Sequence, residues 1–239
     1  MNVTYCRVCG GSHFQFQPVL WPQLIADWQL TASEAEYIDR QQGKFCINCG
    51  ANLRSIALAA ALDSYFSANI SKSVAQSPTP SLLVDWIQHP AVHEFSVLEI
   101  NEAGSLSPYL KQLPRHILGS YPELDMCAMA LPSMAFDIVI HSDTLEHVQN
   151  PVKALEECYR VLKPGGALCM AVPIVVGRMS RNRAGLIHSH HSFQQAQDYI
   201  VHTEFGADFW TYLMQAGFTE ISTHAIEYPS AMSFCARKV

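Results

Sequence analysis

Residues 136–173 read FDIVIHSDTLEHVQNPVKALEECYRVLKPGGALCMAVP, from Phe136 to Pro173. Phe136-Asp137-Ile138-Val139-Ile140 is short, apolar and β-branched, which predicts a strand buried on both faces. His141, Ser142 and Asp143 follow at its carboxyl end, where open α/β sheets place their ligands. Asn150 predicts a helix N-cap, and Pro151 suits the first helical position because its missing N–H has no partner to lose there. Val152, Leu155, Tyr159 and Leu162 recur at helical spacing. Lys163-Pro164-Gly165-Gly166 ends the helix, with glycine free to take positive φ. Ala167–Val172 then predicts a second buried strand. A strand, helix and strand of this length form a right-handed crossover in a parallel sheet.

Two segments within it, Leu145-Glu146-His147-Val148 and Leu162-Lys163-Pro164-Gly165-Gly166, resemble the second half of a class I S-adenosylmethionine-dependent methyltransferase of the type 11 kind. Residues 205–218, FGADFWTYLMQAGF, are similar to the tail of those enzymes. The resemblance covers roughly residues 92–239. It implies an α/β, Rossmann-like, seven-stranded and mostly parallel sheet, ending in an antiparallel hairpin formed by 218–226 and 231–237. It also implies S-adenosylmethionine as cofactor. In this family the first strand, here Phe95–Ile100, ends in an acid, which Glu99 matches. A glycine-rich turn follows. This chain has Asn101 and Ala103 where relatives carry glycine, and keeps Gly104 with Ser105 beside it. Residues 115–121 predict the second strand, with Tyr121 near the ribose or adenine and Glu123 a candidate acid. Leu124–Ala128 predicts a short third strand. The cofactor set implied by the resemblance is therefore Glu99, Asn101, Gly104, Ser105, Tyr121, His141, Ser142 and Asp143. Glu146 and His147 are present in many relatives whatever the substrate, and read as architectural.

Methyl transfer needs proximity and orientation, plus a base where the acceptor must lose a proton. Imidazole titrates near neutrality, so His141, His190 and His191 are the candidate bases. The last two lie in the long segment 174–204, which also holds Arg178, Arg181 and Arg183. An arginine cluster suits an anionic acceptor. The histidines of His188-Ser189-His190-His191 lack a cysteine or carboxylate at metal-ligand spacing. A helix is expected to open at Phe205 and run through Ala216, stopped by Gly217.

Cys6-x-x-Cys9-Gly10 and Cys46-x-x-Cys49-Gly50 are two copies of one turn, separated by 36 residues. Four thiolates in two pairs are the donor set of a closed, structural Zn2+ site. A duplicated motif in a chain without a secretory signal favours metal over disulfides. Between the pairs, 21–28 and 31–38 predict helices, the second opened by a Thr31/Glu34 capping box. Trp21, Leu24, Ile25 and Trp28 share a face. They are expected to form the small module's own core, the other reading being that a tryptophan lines a substrate pocket. Cys127, Cys158, Cys169 and Cys235 lie in apolar contexts and read as core thiols.

These readings divide the chain into a zinc-ribbon-like module (1–53), a helical linker or cover (54–91) and a methyltransferase-type domain (92–239). The helix 56–66 is expected to pack on the domain's sheet, Ser71–Pro80 to connect, and 81–89 to form a short helix. Hydrophobic residues make up 49% and charged residues 15%, with a formal net charge of −6, so the chain is an ordinary globular protein without the basic surplus of duplex binders. No apolar run is long enough to span a membrane, and a cytoplasmic location is the default. The leading expectation is an enzyme methylating an oxygen or nitrogen of a small-molecule, or sugar- or lipid-linked, acceptor. The substituted glycine turn motivates one alternative, a methyltransferase fold kept only for binding. An RNA methyltransferase holding RNA through its zinc module is another. Residues 1–75 carry five Lys/Arg against five Asp/Glu, a balance that favours a small acceptor over nucleic acid. Oligomeric state is left open.

Overall fold

The computed structural model describes residues 2–70, 82–184 and 200–239. The connector expected at 71–80 and the histidines His188, His190 and His191 lie outside the described residues.

The chain begins with β1 (Phe14–Phe16), α1 (Pro22–Asp27), α2 (Ala32–Gly43) and β2 (Lys44–Cys46), with β1 antiparallel to β2. The Thr31 hydroxyl accepts from the Glu34 N–H, and the Glu34 carboxylate accepts from the Thr31 N–H, so the capping box forms as its sequence predicts. Next come α3 (Leu53–Asn69) and α4 (Leu83–Gln88). Asn52 caps α3 by accepting from Ser55 N–H at 2.9 Å. With Ile56, Leu58, Leu62, Tyr65 and Phe66 all buried, α3 packs on the sheet, and the buried Ser233 hydroxyl donates to its Ala57 carbonyl.

The domain proper adds β3 (Val97–Ile100), α5 (Ser107–Leu110), β4 (His116–Gly119), β5 (Phe136–Ser142), α6 (Pro151–Val161) and β6 (Leu162–Ala171). It ends with β7 (Ile174–Val175), β8 (Arg181–Asn182), β9 (Thr203–Gly206), α7 (Trp210–Gln215), β10 (Glu220–Ile226) and β11 (Ala231–Arg237). The main sheet runs β10-β11-β6-β5-β3-β4; β4, β3, β5 and β6 are parallel, and β11 and β10 form the closing antiparallel hairpin.

The opening stretch folds as strand, helix and strand, but Leu162, read as helical, opens β6 and pairs with Phe136. Asn150 accepts from Lys153 N–H at 3.0 Å and Pro151 starts α6. Gly165, at φ +78, turns the chain between the Phe136–Leu162 and Ile138–Ala167 pairings, where the register shifts. The buried face of α6 is Ala154, Leu155, Cys158 and Val161, with Val152 and Tyr159 only half-buried.

Three expectations need correction. The described sheet has six strands rather than seven. Leu124–Ala128 forms turns, because the Asp125 carboxylate caps the Cys127 N–H at 2.8 Å and closes the backbone locally. The segment after Pro173 contributes β7, β8 and β9, a small sheet of order β7-β9-β8. Thr203–Gly206 is accordingly strand, and the helix begins at Trp210 rather than Phe205.

Candidate active site

A cleft of about 1390 Å³ lies across the carboxyl ends of the parallel strands. One side is built from strand ends and the turns after them: Ile100 and Asn101 at the end of β3, Tyr121 and 124–127 after β4, and Asp143, Thr144 and 146–150 after β5. The opposite side comes from the N-terminal insertion, with Val19, Leu20, Trp21, Leu24, Trp28 and Ile38. Ile174, Val175 and 200–205 close the remaining wall. Trp21, Leu24 and Trp28 therefore face the cleft rather than forming a core of the module alone. The volume exceeds the roughly 300–1,000 Å³ of a single small-ligand pocket, so it has room for two molecules side by side.

The expected cofactor residues separate into two groups. Asn101, Tyr121 and Asp143 line the cleft. Asn101 takes φ 53, the left-handed region that a glycine turn would use, and its side-chain oxygen accepts from the Tyr121 N–H at 3.3 Å. Asparagine tolerates this conformation because its short polar side chain bonds locally. Tyr121 is largely exposed. Asp143 takes φ 47 and its carboxylate pairs with Arg54 of α3.

Glu99, Gly104, Ser105, His141 and Ser142 do not line the cleft. Glu99 is fully buried and accepts from the Ala103 N–H at 2.8 Å and from His116 Nε2 at 2.7 Å. Against the penalty of burial, the His116 and Ala103 hydrogen bonds hold its pKa below the usual value. Its carboxylate thus shapes the turn instead of pointing into the cleft. The Gly104–Ser105 segment, with Gly104 at φ +56, turns toward α3: the Ser105 hydroxyl donates to Ser55 Oγ at 2.9 Å. His141 is fully buried within the sheet, between Ile100 and Met170 in register. Burial lowers its pKa to about 3. An imidazole that stays neutral and out of reach of the cleft does not serve as its base.

Sequence reasoning missed several cleft residues. Asp125 and Cys127 line it, and Cys127 is half-buried rather than a core thiol. Glu146 also lines the cleft; it is 2% exposed, and neither carboxylate oxygen has a hydrogen-bond partner among the described residues. Its backbone is fixed, since the Glu146 carbonyl accepts from His202 N–H at 2.7 Å. Beside it His147 donates from Nδ1 to the Ile200 carbonyl at 3.0 Å, and its Nε2 lies 3.8 Å from Glu146 Oε1. Burial first, and the Asp143 charge second, push the Glu146 pKa well above the carboxylate range.

The arginine cluster does not present itself to an anion. Arg178 donates to Glu34 Oε2 at 2.7 Å, to Glu204 Oε1 at 3.1 Å and to the Trp28 and Gln29 carbonyls. Arg181 and Arg183 pair with Glu204 Oε2 at 3.0 and 2.7 Å. The Arg183 guanidinium lies 3.9 Å over the Trp28 ring. These charges bind the insertion to the domain.

Away from the cleft, the thiols of Cys6, Cys9, Cys46 and Cys49 lie within 4.8 Å of one another. The Cys6–Cys49 and Cys9–Cys46 sulfurs are each 3.7 Å apart. A tetrahedral ion with Zn–S bonds of about 2.3 Å separates its sulfurs by about 3.8 Å, so the donor set fits zinc in both chemistry and spacing.

Residues 103–170 match the family described as a methyltransferase domain. A probable S-adenosylmethionine-dependent methyltransferase of Mycolicibacterium smegmatis is 30% identical over 63 residues, 24% of each chain. A ubiquinone/menaquinone biosynthesis C-methyltransferase of Hydrogenovibrio crunogenus is 56% identical over 41 residues, 17% of this chain and 16% of that one. The chain thus spans a quarter or less of the curated relatives it matches. Among solved structures, a putative methyltransferase from Bacillus halodurans is 18% identical with TM-score 0.38, covering 59% of this chain and 68% of that one. A possible histamine N-methyltransferase from Thermotoga maritima is 16% identical with TM-score 0.38, covering 75% and 99%.

Proposed function

From the match of residues 103–170 to a methyltransferase domain family we propose that the chain transfers a methyl group from S-adenosylmethionine to an oxygen or nitrogen of a small-molecule acceptor with an apolar body. The cleft across the ends of β3, β4 and β5, roofed by the N-terminal insertion, carries this reading. The cofactor supplies an electrophilic methyl group on a sulfonium. Asn101, Tyr121 and Asp125 line the half of the cleft at the ends of β3 and β4, where they would hold its nucleoside. Val19, Leu20, Trp21, Leu24 and Trp28 give the other half an apolar surface suited to the acceptor. Their contribution is orientation: holding two reactants in one enclosure converts a bimolecular encounter into an effectively unimolecular step. The pairing of Arg178, Arg181 and Arg183 with Glu34 and Glu204 argues for a neutral acceptor rather than an anionic one. Cys6, Cys9, Cys46 and Cys49 would hold a structural Zn2+.

Calorimetric titration with S-adenosylmethionine tests the reading. Saturable binding is the expected result, weakened when Asn101 is replaced by leucine, which lacks the polar group that secures the turn. No binding at millimolar ligand would overturn it, and would favour a fold retained for another purpose.

A further inference from the structure

Glu146 is more than nine-tenths buried, lines the cleft, and has no hydrogen-bond partner for either carboxylate oxygen among the described residues, with His147 Nε2 at 3.8 Å from Oε1. A buried polar group left unpaired costs about 1–3 kcal/mol, so a native fold that keeps one in a cleft wall has it waiting for a ligand. Resting on the methyl-transfer reading, we propose that Glu146 receives the hydroxyl or amine hydrogen of the acceptor and takes its proton, so that the acceptor is a neutral molecule with an apolar body and a weakly acidic donor group.

The surroundings support the assignment. The turn bearing Glu146 is anchored by the fully buried Leu145 and by the His202 N–H donating to the Glu146 carbonyl. The ionisable groups around it are Asp143 with its partner Arg54, His147 on the same turn, Lys153 on α6, and His202 and Glu204 along the facing wall. Arg54 is engaged by Asp143, and His147 Nδ1 by the Ile200 carbonyl. Glu204 is paired with Arg178, Arg181 and Arg183, and Asp143 with Arg54, whereas both Glu146 oxygens lack a hydrogen bond among the described residues. Burial raises the Glu146 pKa, so it acts from its ionised fraction, and in that form it is a stronger base than an exposed carboxylate. In the step, the acceptor's lone pair forms the bond to the methyl carbon and the carbon–sulfur bond breaks with its electron pair going to sulfur. The acceptor's proton passes to a Glu146 oxygen, and water later removes it.

The test compares the full-length wild type with Glu146→Gln, which keeps the shape and a hydrogen-bond acceptor but is not a base. Both should bind S-adenosylmethionine with similar affinity in calorimetry. Loss of binding in the wild type would instead defeat the methyl-transfer reading itself. With S-adenosylmethionine saturating, transfer of labelled methyl is measured to two aromatic probes at mildly alkaline pH: 2-naphthol, mostly neutral, and 4-nitrophenol, mostly ionised. The expected result is a loss of roughly 100-fold or more on 2-naphthol with little change on 4-nitrophenol, which arrives without a proton to lose. Equal losses on both probes, or no loss on 2-naphthol, would overturn the role of Glu146. A wild type that binds cofactor but methylates neither probe would overturn the acceptor class.

Discussion

His141 and Glu146 stand five residues apart in sequence and have opposite relations to the cleft. A histidine at a strand end is the more familiar candidate base, yet burial among apolar neighbours makes this one a neutral core residue. Its ring nitrogens have no partners among the described residues, so an apolar side chain of similar size should be tolerated. His141→Met is expected to raise stability by about 1 kcal/mol near neutral pH and to leave S-adenosylmethionine binding intact. The folded-state pKa is lowered from 6.5 to about 3. The wild type therefore keeps its full stability above 6.5 and loses part of it as pH falls from there toward 3, because the unfolded chain takes up the proton first. The advantage of the variant should widen on acidification. Urea midpoints at neutral and acidic pH check this, and an advantage that shrinks would contradict it. The sequence drew attention to His141, whereas Glu146, the base we propose, read as architectural. Residue type and position at a strand end are local facts. Whether a carboxylate finds a partner depends on β9 and α3, far away in the chain.

At the scale of elements, local signals were read correctly, while the pairings within the segment after Pro173 were not. The Thr31/Glu34 box, the Asn150 cap with Pro151, and the Gly165 turn each depend on a few adjacent residues, and all form as their chemistry predicts. β7 and β8 are two residues long and exist only because β9 pairs with both, so periodicity could not reveal them. The arginines of this segment then join the small sheet to the insertion. Arg178 links Glu34 of α2 with Glu204 of β9, which holds the tryptophan wall over the cleft. Arg178→Met removes one side of a largely buried ion pair and should cost about 3 kcal/mol. Its hydrogen bonds hold Glu34 at a pKa of about 2, below the usual 4.5. That stabilisation is present above 4.5 and is lost as pH falls toward 2. The stability gap between wild type and Arg178→Met should accordingly close on acidification, read from urea midpoints between neutral pH and about pH 3. A gap independent of pH would mean that the guanidinium acts by packing alone.

On the scale of the whole molecule, the cysteine spacing made the four-thiol cluster legible, but it gave no sign that the module's buried residues are continuous with those of the domain. Cys6, Val8, Cys46 and Ala51 belong to the same buried cluster as Ile56, Leu58, Leu62 and Phe66 of α3 and as Val97, Ile138 and Ile140 of the sheet. α4 is tied in as well, with Leu83 and Val84 N–H donating to the Arg7 and Val8 carbonyls of the first cysteine turn. The proposed zinc therefore closes one end of a continuous core instead of stapling a separate bead. Its loss should be felt as far as the half of the cleft proposed to hold the cofactor, because α3 carries both Arg54, which pairs with Asp143, and Ser55, which meets Ser105. Cys46→Ser should abolish bound zinc in elemental analysis and lower the unfolding midpoint of the entire chain in one cooperative transition. Its affinity for S-adenosylmethionine should fall with it. Unchanged zinc content would overturn the metal site. Two separated transitions, the later one at the wild-type temperature, would show that the module and the domain unfold independently despite the shared core.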